Sequence, residues 1–192
     1  RQILALLVGP MKRDMHLSDT KVSLLMGLSF ALFYTIFGII IGRFADRTNR
    51  RNIIMTGIAL WSVLTALCAG VKTYSQFFVA RMGVGVGEAT LSPSAYSMIT
   101  DYFPKRKLAM AMSVFTMGIF LGSGLALAIG AALVANLPTT GTLHVPLLGE
   151  IYHWQKLFLM IGLPGLFISL LMLTVKEPVR QDVLHREGLH TK

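Results

Sequence analysis

Charge is the scarcest property of this sequence. Asp, Glu, Lys and Arg together make up 14% of it, where a water-soluble domain carries about 25%. A chain so poor in charge cannot cover itself with polar surface in water. Cysteine is almost absent: Cys68 stands alone inside an apolar run. That excludes an intrachain disulfide, and its setting reads as inert packing. H-E-x-x-H, G-x-S-x-G and a pair of intramembrane aspartates are missing too, so the chain reads as no enzyme. His144, His153, His185 and His190 show no metal-ligand spacing, and neither a metal nor a cofactor is expected. Residues 1–9 are a short apolar stretch without the small-residue cleavage pattern of a signal peptide.

What the sequence has in excess is apolar side chain. Hydrophobic residues are 54% of the total and the mean hydropathy is +0.63, a surplus that calls for lipid as solvent. A helix needs about 20 mostly apolar residues to cross the hydrocarbon core. Five runs qualify: 22–41, 52–71, 75–102, 108–135 and 157–175. Residues 1–9, closed by Pro10, read as the end of a first helix. The expectation is an all-α membrane protein with five full transmembrane helices plus that end, since the runs are too long and uniform for barrel strands. Residues 43–51 separate the second and third spans, and Pro104 with Lys105, Arg106 and Lys107 the fourth and fifth. Residues 136–155, with Pro138, Gly141, Pro146 and Gly149, read as a longer loop. The bundle is expected over 1–175, and 176–192 as a polar, poorly ordered tail or linker.

The net charge of +9 would suit a nucleic-acid binder, but the basic residues sit in short clusters between apolar runs. That is the positive-inside pattern, and nucleic acid is excluded as a partner. Arg43, Arg47, Arg50, Arg51, Lys105, Arg106, Lys107, Lys176, Arg180 and Arg186 fall on one side; Lys12, Arg13, Lys21, Lys72 and Lys156 fall on the other. The first side, tail included, is therefore expected in the cytoplasm of a multi-pass cell-membrane protein, the bacterial inner membrane being the natural setting.

At the end of the second span, Gly42 permits a close helix approach. Asp46 follows the helix C-terminus, where the macrodipole disfavours a carboxylate, so it needs an arginine or the N-terminus of another helix as partner. Arg47, Arg50 and Arg51 can pair with acids on adjacent loops, Asp101 among them. Such a cluster can latch helix ends in one conformation, or simply set topology; surface pairs are worth only ~0–1 kcal/mol. The pattern Gly42, Asp46, Arg47, Arg50, Arg51 resembles the signature loop G-x-x-x-D-R-x-x-R-R of major facilitator transporters. The stretch Arg81, Gly83, Gly85, Gly87, Glu88 and Ala89 is similar to that family's fourth-helix signature. With Ser92-Pro93-Ser94-Ala95-Tyr96 and Asp101-Tyr102-Phe103-Pro104, it looks most like the spinster-like branch. The resemblance implies the N-terminal half of a major facilitator fold, a cytoplasmic gate at the signature loop whose aspartate contacts the other half, and a C-terminal six-helix half as partner.

Arg81 and Glu88 also stand out by their own chemistry. Seven residues apart on one helix, they share a face at about 10.5 Å along the axis. Glu88 leans toward Arg81 while Arg81 leans away, so a direct pair, a water or a substrate could fill the gap. A carboxylate at mid-membrane costs about 2.5–3.5 kcal/mol on insertion scales and needs a cavity or a partner. Burial disfavours its charged form and a neighbouring guanidinium favours it, the opposition a proton-coupling residue needs. The alternative is a structural ion pair. The resemblance implies substrate binding and proton coupling at both residues, together with a first-helix acid that would fall just before Arg1.

Ser92 and Tyr96 continue the Glu88 face and are candidates to line the same cavity, or to pack; Pro93 frees carbonyls mid-span. Gly83, Gly85 and Gly87 do not meet G-x-G-x-x-G spacing and suggest close packing or room beside Glu88 rather than a phosphate loop. Gly118, Gly122, Ala126 and Gly130 form a small-residue ridge suited to tight crossing. Trp154 reads as an interfacial anchor and Trp61 as packing. The expected function is proton-coupled, alternating-access transport of an organic anion or amphipathic lipid-like substrate. A non-transporting membrane scaffold or receptor that keeps the fold is the alternative. Transport of this type needs two halves, so the chain is expected to be one part of a larger carrier.

Overall fold

The computed structural model of the chain describes residues 2–136, 138, 141–146 and 149–180. The first helical stretch is α1 (Gln2–Leu6) followed by α2 (Val8–Asp14). Pro10 does not close it as expected. It is the third residue of α2, where a missing N–H is tolerated, and the helix runs on to Asp14.

The second span joins α3 (Asp19–Ser23), a π-turn over Leu24–Leu28 and α4 (Ser29–Ala45). Ser18 caps its start by accepting from the Lys21 N–H, satisfying a donor the helix cannot. The third is α5 (Arg50–Leu67), capped by Asn49 and ending in a 3-10 turn over Cys68–Gly70. The fourth is α6 (Tyr74–Ala89), opened by a Thr73–Gln76 capping box, and α7 (Leu91–Tyr102). The fifth is α8 (Lys105–Ala135), and the sixth is α9 (Lys156–Leu171) between 3-10 turns at His153–Gln155 and Met172–Thr174.

Among the described residues, four helical stretches suffice by length and composition to cross a membrane: Asp19–Ala45, Arg50–Gly70, Lys105–Ala135 and His153–Thr174. The fourth predicted span differs because it divides at Thr90 into helices of 16 and 12 residues. Pro93 has no N–H to offer the Ala89 carbonyl. The Thr90 N–H and hydroxyl both turn back to the Gly87 carbonyl, at 3.2 and 2.8 Å. Thr90 keeps right-handed helical φ and ψ of −70° and −30°, so the break is in hydrogen bonding rather than in direction of winding.

The segment predicted as an open loop over 136–155 instead contains an antiparallel hairpin, β1 (Thr142–Val145) and β2 (Gly149–Tyr152), with Thr142 opposite Tyr152 and Val145 opposite Gly149. Gly149, at φ 73°, supplies the left-handed residue beside the turn. The hairpin is tied down at the end of the bundle away from the arginine cluster. The Tyr152 hydroxyl donates to the Asp14 carbonyl, the Trp154 indole to the Asp14 carboxylate at 3.0 Å, and the Gln155 amide to the Val71 carbonyl at 2.6 Å. Trp154 is therefore no interfacial anchor. It is 3% exposed and packs with Phe77, Phe158 and Leu157 in the larger apolar cluster of this end. Its one polar atom found a partner, which is what lets an indole be buried.

The main packing seams run between α5 and α9, α5 and α6, and α4 and α6, with α1 against α8. Where lipid surrounds the helices, association rests on close packing and hydrogen bonds. Small residues are therefore used at the seams. A Cβ on Gly162 of α9 would lie 2.7 Å from both the Ala66 nitrogen and the Ser62 carbonyl of α5. Gly83, Gly85 and Gly87 likewise press on Leu64, Phe30 and Trp61. The predicted ridge on α8 is only partly used: Gly130 meets Leu6 and Ile3 of α1, whereas Gly118 and Gly122 face open space within the described residues. Much of α8, with Met110, Phe120, Leu121 and Leu125 exposed, and the Ile36–Ile40 stretch of α4 present apolar side chains outward.

These contacts separate the two glycine groups experimentally. Gly162→Ala should destabilise the chain in detergent by about 1–3 kcal/mol, the usual cost of overpacking against atoms that cannot move. Gly122→Ala should stay within about 0.5 kcal/mol. Thermal unfolding followed by circular dichroism reads both.

Candidate functional site

Two constellations hold the chemistry. The first lies mid-bundle. Arg81 and Glu88, both on α6, line one cavity of about 150 Å³ bounded also by α1, α5 and α9. Their helical spacing put them on the same face; the cavity is what the neighbouring helices add. Arg81 is 5% exposed, and its guanidinium carbon stands 5.7 Å from the centre of the Phe30 ring on α4. A cation over an aromatic face gains ~0.5–2 kcal/mol. Glu88 is half-buried. The cavity wall also includes Trp61, Ser62 and Thr65 of α5, so Trp61 is more than the packing residue predicted.

Ser92 and Tyr96 are not among the residues lining this cavity. The Ser92 hydroxyl lies 3.3 Å from that of Tyr34, linking α7 to α4. Tyr96 is 41% exposed and stacks edge-on against Phe115 of α8. Four-residue steps kept these side chains on the Glu88 side of one helix, but the neighbours of α7, Tyr34 of α4 and Phe115 of α8, take them up instead. The π-turn over Leu24–Leu28 ends two residues before Phe30, and Ser29 between them donates to the Leu25 carbonyl at 2.6 Å. Irregular turns of this type are frequent at functional sites, and nothing in the sequence announced it.

The second constellation is at the basic end. Arg50, the first residue of α5, is 1% exposed. Its Nη1 pairs with the Asp101 carboxylate and donates to Ser97 Oγ at 2.8 Å and the Ser97 carbonyl at 3.2 Å. Its Nε donates to Glu177 at 2.8 Å and its Nη2 to the Pro178 carbonyl at 3.2 Å. The Arg51 backbone N–H donates to the other Glu177 oxygen at 2.9 Å. One guanidinium thus ties the start of α5 to the end of α7 and to the segment after α9. Two Arg180 hydrogen bonds, to the carbonyls of Ala45 and Thr48 at 2.7 Å, close the same end.

Asp101 stands where sequence reasoning placed a partner. Other members of the set are elsewhere. Asp46 and Arg47 are exposed, and among the described residues the Asp46 side chain makes no hydrogen bond or ion pair. Gly42 faces Pro93 of α7 at 3.9 Å from a built Cβ, ordinary contact rather than forced proximity. Glu177 and Ser97 were not anticipated. The available signal was Glu177 itself, the only acid among residues 176–180 of a basic end. Of the tail expected over 176–192, the described residues 176–180 are docked on the bundle through Glu177, Pro178 and Arg180; residues 181–192, Arg186 among them, lie outside the described residues. Burial pushes the Glu177 carboxyl up, but the hydrogen bonds from Arg50 and the Arg51 N–H outweigh it and hold the group below the usual 4.5.

The model of the Major Facilitator Superfamily matches residues 1–192. The chain superposes with a TM-score of 0.84 on the crystal structure of a bacterial homolog of the human lysosomal transporter Spinster, captured inward-facing and occupied. The two are 32% identical over 93% of this chain and 41% of that one. An MFS-type efflux pump of Mycolicibacterium smegmatis is 28% identical over 93% of this chain and 38% of its own length. A probable L-galactonate transporter of Escherichia coli is 26% identical over 83% and 32%. The chain thus spans well under half the length of the proteins it matches.

Removing Arg50 leaves two carboxylates facing each other around a buried gap, and Arg50→Ala should cost about 3–5 kcal/mol of stability. For Glu177 the folded-state carboxyl titrates below its unfolded value, so its contribution is complete above pH 4.5 and fades as pH falls through the lower, folded value. The difference in melting temperature between wild type and Glu177→Gln should therefore be constant near neutrality and narrow below pH 4.5.

Proposed function

The chain belongs to the Major Facilitator Superfamily, and from that premise we propose that it forms the N-terminal six-helix half of a proton-coupled secondary transporter for an organic anion or amphipathic lipid-like substrate. The observation that carries the proposal is the sharing of one mid-bundle cavity by Arg81 and Glu88. A buried guanidinium attracts anions in a low-dielectric setting. A neighbouring carboxylate competes with that anion when charged and yields to it when protonated. Proton and substrate are thereby coupled through one cation. The relative named for L-galactonate, itself a carboxylate, supports an anionic cargo.

Alternating access requires a second half against which this one rocks. The outward apolar faces of α4 and α8 are suited to that partner and to lipid. In this reading the basic end is cytoplasmic and acts as the gate. Gly42, Asp46, Arg47, Arg50, Arg51 and Asp101 belong to it, with the Arg50 cluster holding helix ends together in one state and Asp46 and Arg47 presented outward to the other half.

Proteoliposomes carrying this half with its C-terminal half test the proposal. With an imposed pH gradient and L-galactonate as the first anion, Glu88→Gln should cut gradient-driven uptake by about tenfold or more while anion exchange at equal pH persists. Arg81→Ala should depress both, since losing a charge-assisted hydrogen bond is worth about 10–100-fold. Wild-type gradient-driven uptake by Glu88→Gln would overturn the coupling, and absence of any flux in the wild type would favour a scaffold.

A further inference from the structure

Most hydroxyls on the long helices are accounted for. Those of Ser29, Thr56 and Ser113 donate to the carbonyl four residues back, and that of Ser169 crosses to the Met55 carbonyl. Ser62 is different. Ser62 is 1% exposed, yet its Oγ has no hydrogen-bond partner among the described residues. It lines the cavity that holds Arg81 and Glu88. Its Oγ is turned toward α9 at Gly165, another lining residue, where a Cβ would fall only 2.2 Å away. The space around this hydroxyl is kept by the missing side chain opposite it.

A buried hydroxyl without a partner costs ~1–3 kcal/mol, a penalty that alanine at the same position would avoid. An occupant of the cavity with acceptor oxygens removes the penalty. Arg81 supplies the complementary charge, and Thr65, three residues along α5, adds a further hydroxyl to the same wall. Leu4 and Phe158 make the facing wall apolar. A cavity of about 150 Å³ has room for a carboxylate or phosphate headgroup.

We propose that Ser62 is a ligand-binding residue of this cavity: its hydroxyl donates to an oxyanion headgroup, carboxylate or phosphate, held by Arg81, while Leu4 and Phe158 take the adjoining apolar carbons. The proposal rests on the transporter reading for the ligand's role as cargo, but the binding step itself is an equilibrium and needs no gradient.

Calorimetric titration of the assembled two-half transporter in detergent with octanoate tests it, using octylammonium as the cationic control. Ser62→Ala should raise the octanoate Kd about tenfold or more, as expected for a hydrogen bond to a charged group, should leave octylammonium binding unchanged, and should raise the melting temperature without ligand, since the unpartnered hydroxyl is gone. Gly165→Ala, which displaces the hydroxyl, should weaken octanoate binding similarly and add little on top of Ser62→Ala. Inorganic phosphate that competes with octanoate, and is weakened by Ser62→Ala in parallel, assigns the seat to free oxyanions; lack of competition assigns it to amphiphilic carboxylates. An octanoate Kd within twofold of wild type in Ser62→Ala, or equal losses for octanoate and octylammonium, overturns the proposal. If Arg81→Ala abolishes octanoate binding while Ser62→Ala does not, the role of Ser62 is wrong and the transporter reading stands. If octanoate binds tightly and Ser62-dependently but Glu88→Gln transports normally, the coupling is wrong and Ser62 stands.

Discussion

A guanidinium removed from water must be surrounded by acceptors or by a π face, because its desolvation costs several kcal/mol. This bundle does it twice, and the two solutions differ. Arg50 is saturated: two carboxylates, two carbonyls and a hydroxyl bind it at the junction of three chain segments. Arg81 is set over the Phe30 ring and beside a cavity. A cation held by side chains and carbonyls from three segments fixes what it touches, whereas one that lines a cavity can also meet a ligand there. The first suits holding helix ends and the second suits receiving an anion.

The helices around Arg81 are arranged to keep that space. Gly162 and Gly165 bring α9 onto α5, and Gly87 brings α6 onto Trp61. The helix bearing Glu88 is broken in its hydrogen bonding just beyond it, where Pro93 has no N–H for the Ala89 carbonyl and Thr90 bonds backward. A helix with a missing bond at that point can bend there at lower cost than an intact one. The opposite end of the bundle is closed by apolar packing and the docked hairpin, with Trp154 and Gln155 bonded to Asp14 and Val71. The arginine end is thus held by one buried, multiply bonded cation, and the hairpin end chiefly by apolar packing, with the Asp14 carboxylate accepting from Trp154.

Much of this was legible in the residues. Lipid solvent, helical spans, the basic end, and the Arg81–Glu88 face all follow from local properties: hydropathy over about 20 residues, Lys and Arg position, and the 3.6-residue period. Asp101 could be named as an arginine partner because both lie at span ends on the same side. Pro10 was misread because proline breaks helices only when it sits beyond the first turn. The hairpin at 142–152 was missed because its apolar and turn residues are too few to outweigh the flanking prolines and glycines. Trp154 was read as an anchor because its acceptor, Asp14, lies 140 residues away.

The sequence by itself determined the solvent, the element type and the helix faces, since each depends on neighbours a few residues apart. Only the tertiary structure decided which buried arginine is saturated and which borders a cavity. It also decided that Glu177 rather than Asp46 joins the basic cluster, that Ser92 and Tyr96 leave the cavity, and that Ser62 enters it. Those outcomes depend on which helices meet and at what rotation. Contacts between residues far apart along the chain set them, and no periodicity encodes that.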